Sequence, residues 1–221
     1  MNEFMQFFNT SDPTNVSTSV KLIILLTVLS IAPSILILMT CFTRIIIVLG
    51  FVRTSLATQQ MPPTQVLVGI ALFMTFFIMA PTFQEVNKEA LTPLFEEKIT
   101  LEQAYEKASG PFKDFMSEHT RQKDLALFLN YAGVEQPKTI QDIPLTALVP
   151  AYAISEIKTA FQIGFMIFIP FLVIDMIVAS VLMSMGMMML PPVMISLPFK
   201  ILLFVLVDGW YLVVKSLLQS F

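Results

Sequence analysis

An all-α, membrane-type chain is what this sequence predicts, and three observations carry that expectation. Of its 221 residues, 56% are hydrophobic and only 13% charged, against about 25% charged in an ordinary soluble domain. The charges are segregated: 20 of the 29 lie between Glu85 and Lys158, and nine serve the remaining 147 residues. The uncharged runs between them are as long as a bilayer-crossing helix, which needs about 20 apolar residues. Together these exclude a disordered chain, and a net charge of -3 without a basic cluster excludes a nucleic-acid binder.

The elements follow in order. Residues 1–19 are a short polar tail, read as lying outside; it holds Glu3 and Asp12 and no basic start, so no cleavable leader is expected. Lys21 and Arg44 bracket 22 uncharged residues, Arg53 and Glu85 bracket 31, Lys158 and Asp175 bracket 16, and Asp175 and Lys200 bracket 24. Four long helices are expected, at 20–49, 64–83, 154–183 and 193–214. They form two hairpins, 20–84 and 151–221, around a charged segment, 85–150. Arg44 and Arg53 flank the first turn with no acid nearby, which favours the cytoplasmic side for that turn and the outside for the charged segment.

In the charged segment, Thr100 followed by Gln103 is a capping-box pattern, each side chain satisfying an orphan backbone N–H. The helix it starts is expected to stop before Gly110-Pro111. Phe112, Phe115, Met116 and His119 then share one helical stripe, as do Leu125, Phe128, Leu129 and Ala132, with Gly133 as a C-terminal stop. These faces pack on each other or on a neighbouring copy.

Each hairpin carries a proline in its first helix, Pro33 or Pro170, and a Pro-Pro pair opening its second, Pro62-Pro63 or Pro191-Pro192. Proline suits a first turn because its missing N–H had no partner there. Ionisable residues inside the apolar parts are costly, about 2.5–3.5 kcal/mol on insertion scales, and normally pair. Asp175, Lys200 and Asp208 are such residues. Asp175 and Glu156 are both candidate partners for Lys200. Met183 to Met194 contains six methionines with Gly186 and the Pro-Pro pair, an adaptable, broken stretch. His119 and Cys41 are the single residues of their kinds, and no hydrolase, metal or phosphate-loop motif is present. No catalytic function, cofactor or metal site is expected.

PAYAISEIKTAFQIGF (150–165), the block from Pro170 to Trp210, the stretch Met39 to Gly69 and FIMAPTF (77–83) together resemble the FliP family of flagellar type III export-gate proteins. The likeness runs essentially end to end and is weakest in the charged middle. It implies a pore-forming subunit, several copies of which assemble with FliQ and FliR into a helical ring in the basal body. FlhB and FlhA stand alongside, and unfolded flagellar subunits pass through the bacterial cytoplasmic membrane. It implies that Met187, Met188 and Met189 ring the pore as a gasket, that Phe168 lines the channel, and that Glu156 and Lys200 form an assembly ion pair. Asp175 matches a buried acid of functional weight, and Phe115 and Phe128 match contacts between copies. The related virulence secretion gate is the first alternative, followed by a small-solute secondary transporter or an assembly factor without a channel.

Overall fold

The computed structural model describes residues 23, 26, 27, 29–31, 34, 35, 37–58, 60–134, 137, 139–187 and 189–221. The tail at 1–19, the Pro33 kink and Met188 lie outside the described residues. Residues up to Leu38 form one compact unit, and Met39–Phe221 form another. In the first, the described positions from Ile23 to Leu38 are helical and exposed.

The second unit is helical, with no strand among the described residues. Its helices are α1 (Phe42–Ser55), α2 (Thr64–Ile78), α3 (Ala80–Val86), α4 (Thr92–Phe95), α5 (Leu101–His119), α6 (Gln122–Tyr131), α7 (Leu145–Ser184), α8 (Pro192–Leu206) and α9 (Gly209–Leu218). A wide π-type turn, Asn87–Leu91, joins α3 to α4, and a short tight turn, Ile140–Asp142, precedes α7.

Helix α7 is the axis. It runs 40 residues without a break through both Pro150 and Pro170, about 60 Å at 1.5 Å per residue. It is the one described helix that is by itself long and apolar enough to cross a membrane. The other long apolar runs bend. The α2 run turns by 59° at Met79 into Ala80–Phe95, and α8 turns by 62° into α9. Each cause is local. Pro81 lacks an N–H and its ring crowds the carbonyl four residues back, at Phe77. Asp208 takes a left-handed conformation (φ 51°, ψ 54°), which a helix interior does not accommodate. The four long helices expected are therefore one long helix and two bent pairs, and the expected first helix, 20–49, is broken by a turn at 39–41, after which α1 starts at Phe42 and runs on to Ser55. The third helix also begins earlier than expected, at Leu145 instead of 154.

On α1, Ile45, Val48, Leu49 and Val52 follow i, i+3, i+4, i+7 spacing and are fully buried. They meet Leu67, Ala71 and Met74 of α2 and Ala160 and Phe171 of α7 in the main core. Helices α1 and α7 approach closely because Gly164 has no side chain: a Cβ there would stand 2.4 Å from the Phe51 ring. Phe51 in turn sits edge-on to Phe161, with centroids 5.1 Å apart. A second cluster of Met39, Met116, Ile143, Leu148 and Tyr152 joins α5 to the start of α7.

The capping box at Thr100 and Gln103 is made in both directions. The helix it opens does not stop at Gly110-Pro111; α5 continues through both to His119. The residue before a proline resists helix through a clash involving its Cβ, and Gly110 has none. The Phe112–Phe115–Met116–His119 stripe turns inward as expected, with Met116 fully buried.

Candidate functional site

The charges held within the apolar helices define the chemistry of this molecule. Among the described residues, one long-range ion pair is buried and a second is partly so. Arg44, in the first turn of α1, grips Glu156 of α7 with two parallel bonds: Nε donates to Oε2 at 2.8 Å and Nη2 donates to Oε1. Both residues are buried, Glu156 completely. A forked guanidinium on a carboxylate is the geometry in which an ion pair best offsets its own desolvation. The same guanidinium reaches the chain's last residues. Its Nη1 donates to the Ser220 carbonyl at 2.6 Å and to Ser220 Oγ at 3.1 Å, and its carbon sits 3.8 Å over the Phe221 ring. Phe221 then stacks on Phe115 and meets the His119 ring edge-on. One cation thus ties α1, α7, the final residues and, through Phe221, α5.

The second pair joins α7 to α8. Lys200 Nζ donates to Asp175 Oδ2 at 2.6 Å, and Ser196 Oγ donates to Oδ1 at 2.5 Å. Ser196 and Lys200 share a face of α8, one turn apart, so both carboxylate oxygens are met from a single helix. This pair borders a cavity of about 400 Å³ that Arg53, Thr58 and Phe168 also line. Phe168, Asp175 and Lys200, three residues singled out in the sequence, line one cavity.

A third pair lies in the charged segment. Arg121 and Asp124 stand 2.5 Å apart, and Ser155 Oγ of α7 donates to Asp124 at 2.7 Å while accepting the Arg121 backbone N–H. Burial works to raise the Asp124 carboxyl, but the bonds from Ser155 and Arg121 outweigh it and hold the group below the ordinary carboxylate value. His119 is held below the usual imidazole value by burial first and then by the charge of Arg44.

At the far end of α7 the chain leaves the helix at Met185 and turns through Gly186 (φ 74°) before Pro191-Pro192 starts α8. Met187 is about half exposed and Met189 is 99% exposed. Within one chain the Met189 side chain has almost nothing to pack on.

A family model for the FliP family matches residues 25–217. The flagellar biosynthetic protein FliP of Bacillus subtilis (strain 168) is 77% identical over 221 residues, covering all of both chains. The chain belongs to the FliP family. The proteins of the same name from Caulobacter vibrioides and Aquifex aeolicus are 55% and 49% identical, over 91% and 94% of this chain and 76% and 87% of theirs.

Against the positions the FliP resemblance singles out, the structure differs at one pair. Glu156 and Lys200 do not meet within this FliP-family chain: Glu156 is taken by Arg44 and Lys200 by Asp175. Within the chain each is matched by an opposite charge on an adjacent helix. Arg44, read from the sequence as a free charge beside the first turn, is in the core; Arg53 alone stands near the turn, donating to Thr64 Oγ1 at 3.0 Å. Phe115 is engaged inside the chain, against Tyr152, His119 and Phe221, and Phe128 is half-buried on α6. Arg44, Ser196 and the final Ser220–Phe221 were missed. Ser196 had a signal, since it precedes Lys200 by one helical turn; the others depend on contacts across more than a hundred residues.

Proposed function

We propose that this chain is a pore-forming core subunit of the flagellar protein export gate. In this reading several copies assemble with FliQ and FliR, beside FlhB and FlhA, in the bacterial cytoplasmic membrane, and unfolded flagellar subunits pass through the assembly. The full-length 77% identity to a flagellar biosynthetic protein FliP carries the reading. It also favours a flagellar over a virulence gate. The physical support is the amount of apolar surface that one chain leaves uncovered. Phe73, Phe76 and Phe77 on α2, Phe165 and Met166 on α7, and Met189 beyond it are all more than 60% exposed. Surface of that kind is covered by lipid or by protein partners.

Mechanistically, the Met187–Met189 turns of neighbouring copies close the passage. Methionine side chains are unbranched and polarizable, so they seal against ions and water yet yield to an entering chain. Replacing Met187 and Met189 with Ala is expected to raise ion conductance through the assembled gate in bilayers while leaving assembly intact. Unchanged conductance refutes the gasket. A lone chain that moves a solute in vesicles refutes the gate and restores the transporter reading.

A further inference from the structure

Positive charge collects where α6 packs on α7. Lys123 of α6 and Lys158 of α7 are both exposed and meet side chain to side chain across the helix pair, with Arg121 in electrostatic reach of Lys158. Among the described residues neither lysine forms an ion pair. The carboxylate within their reach is Asp124, which is buried and already engaged by Arg121 and Ser155. Arg121 is itself answered on one edge only, since its Nε and Nη1 have no hydrogen-bond partner. Three cations on one carboxylate leave this surface positive, and like charges held so close repel. An anion seated between the two lysine ammoniums converts that repulsion into attraction.

What lies next to this charge on α7 points to the kind of anion. Lys158 is the last charged residue before the uncharged run 159–174, on the helix that is long and apolar enough to cross a membrane. Phe161, Phe165, Ile169 and Leu172 follow Lys158 by three, seven, eleven and fourteen residues, so all five share one helical face. The four apolar members are 54%, 63%, 42% and 43% exposed. From Phe161 to Leu172 the stripe is about 16 Å long, close to half of the roughly 30 Å hydrocarbon core of a bilayer. A cationic head thus stands at the top of an uncovered apolar stripe that is one leaflet deep.

A free phosphate or carboxylate satisfies the lysines and leaves the stripe bare, whereas an anionic phospholipid satisfies both. We propose that Lys123 and Lys158, backed by the charge of Arg121, hold the phosphate of an anionic phospholipid whose acyl chain lies along the Phe161–Phe165–Ile169–Leu172 stripe. Lysine suits this position, since its stem lies on apolar surface while its ammonium reaches the headgroup layer, where it pairs with phosphate as a point charge. The site fixes one end of α7 at the level of the headgroups. This rests on the membrane placement in the reading above and adds to it a lipid of defined charge at a defined place.

Lipid competition tests it. The full chain, co-expressed with FliQ and FliR, is purified in detergent and exposed to equal amounts of phosphatidylglycerol and phosphatidylcholine, and the retained lipid is measured by mass spectrometry. The wild type is expected to retain phosphatidylglycerol preferentially. Lys123→Gln with Lys158→Gln, two exposed positions, is expected to weaken that preference about twentyfold, at roughly fivefold per lysine, with helix content unchanged. Lys98→Gln with Lys107→Gln removes the same charge at a cavity elsewhere in the charged segment and is expected to leave the preference intact. An undiminished preference in the first variant, or an equal loss in the second, overturns the assignment. Millimolar inorganic phosphate is expected to leave the lipid in place, and its displacement shows a free-anion site and overturns the lipid. A wild type that retains neither lipid overturns the membrane placement itself, and this proposal with it, before any variant is made.

Discussion

Removing Arg44 is expected to be one of the most damaging single changes in this protein, and removing its partner at the same time is expected to undo most of the damage. Arg44→Leu leaves the Glu156 carboxylate fully buried without its counter-ion. Breaking one half of a buried pair costs about 3–5 kcal/mol, because the remaining charge is stranded. Arg44→Leu with Glu156→Leu strands nothing. The residual cost is then the bond to Ser220 and the contact with the Phe221 ring, about 1–3 kcal/mol together. Urea unfolding in detergent of the wild type, both single variants and the double variant closes a thermodynamic cycle. With single losses of about 3–5 kcal/mol each and a double loss of about 1–3, the coupling energy is expected to be at least about 3 kcal/mol. Additive losses, with the double variant worse than either single one, refute the claim that the pair is the structural lock. Hydrogen exchange adds a local reading: α5 loses protection in Arg44→Leu, since Phe221 no longer holds Phe115 and His119.

Three further outcomes are expected. Gly164→Ala drives a methyl group into the Phe51 ring and lowers stability by about 1–3 kcal/mol; Phe51→Ala in the same chain relieves the clash, seen as a partial recovery of the thermal midpoint. An unfolded His119 takes up its proton near pH 6.5, while the folded one does so only at lower pH. The stability it contributes is thus complete above that value and declines as pH falls below it; His119→Gln flattens the pH profile between about pH 5 and 7, and an unchanged profile refutes the assignment. Ala57 holds a left-handed conformation at φ 57°, so Ala57→Gly is expected to stabilise by roughly 1 kcal/mol, and a lower unfolding midpoint counts against it.

The sequence disclosed what depends on local rules and concealed what depends on distance. The capping box at Thr100, the stripe from Phe112 to His119 and the Pro-Pro helix starts all appear where short-range spacing put them. Gly110-Pro111 misled because two helix-breaking residues in series partly cancel: glycine removes the clash that proline would create. The bend at Met79 was hidden inside an uncharged run, whose composition records transfer energy and carries no trace of backbone direction; Asp208 was marked as a charge that needs a partner, not as a turning point. Among the buried charges, the sequence marked Glu156, Asp175 and Lys200 as residues that need partners. It did not mark Arg44, whose position near a helix end made it look solvated, and whose partner lies 112 residues away.

Helix α7 has a mechanical meaning that follows from its length. At about 60 Å it is roughly twice the hydrocarbon thickness of a bilayer. One end packs against α5 and α6, while the other ends at the methionine turn. An α-helix resists compression along its axis, so a displacement applied at the α5–α6 end arrives at the methionines as a displacement. The compliant points along this rod are Pro150 and Pro170, where the carbonyls of Thr146 and Met166 lose their usual donor. Pro170 lies between the Gly164 contact with α1 and the Asp175 contact with α8.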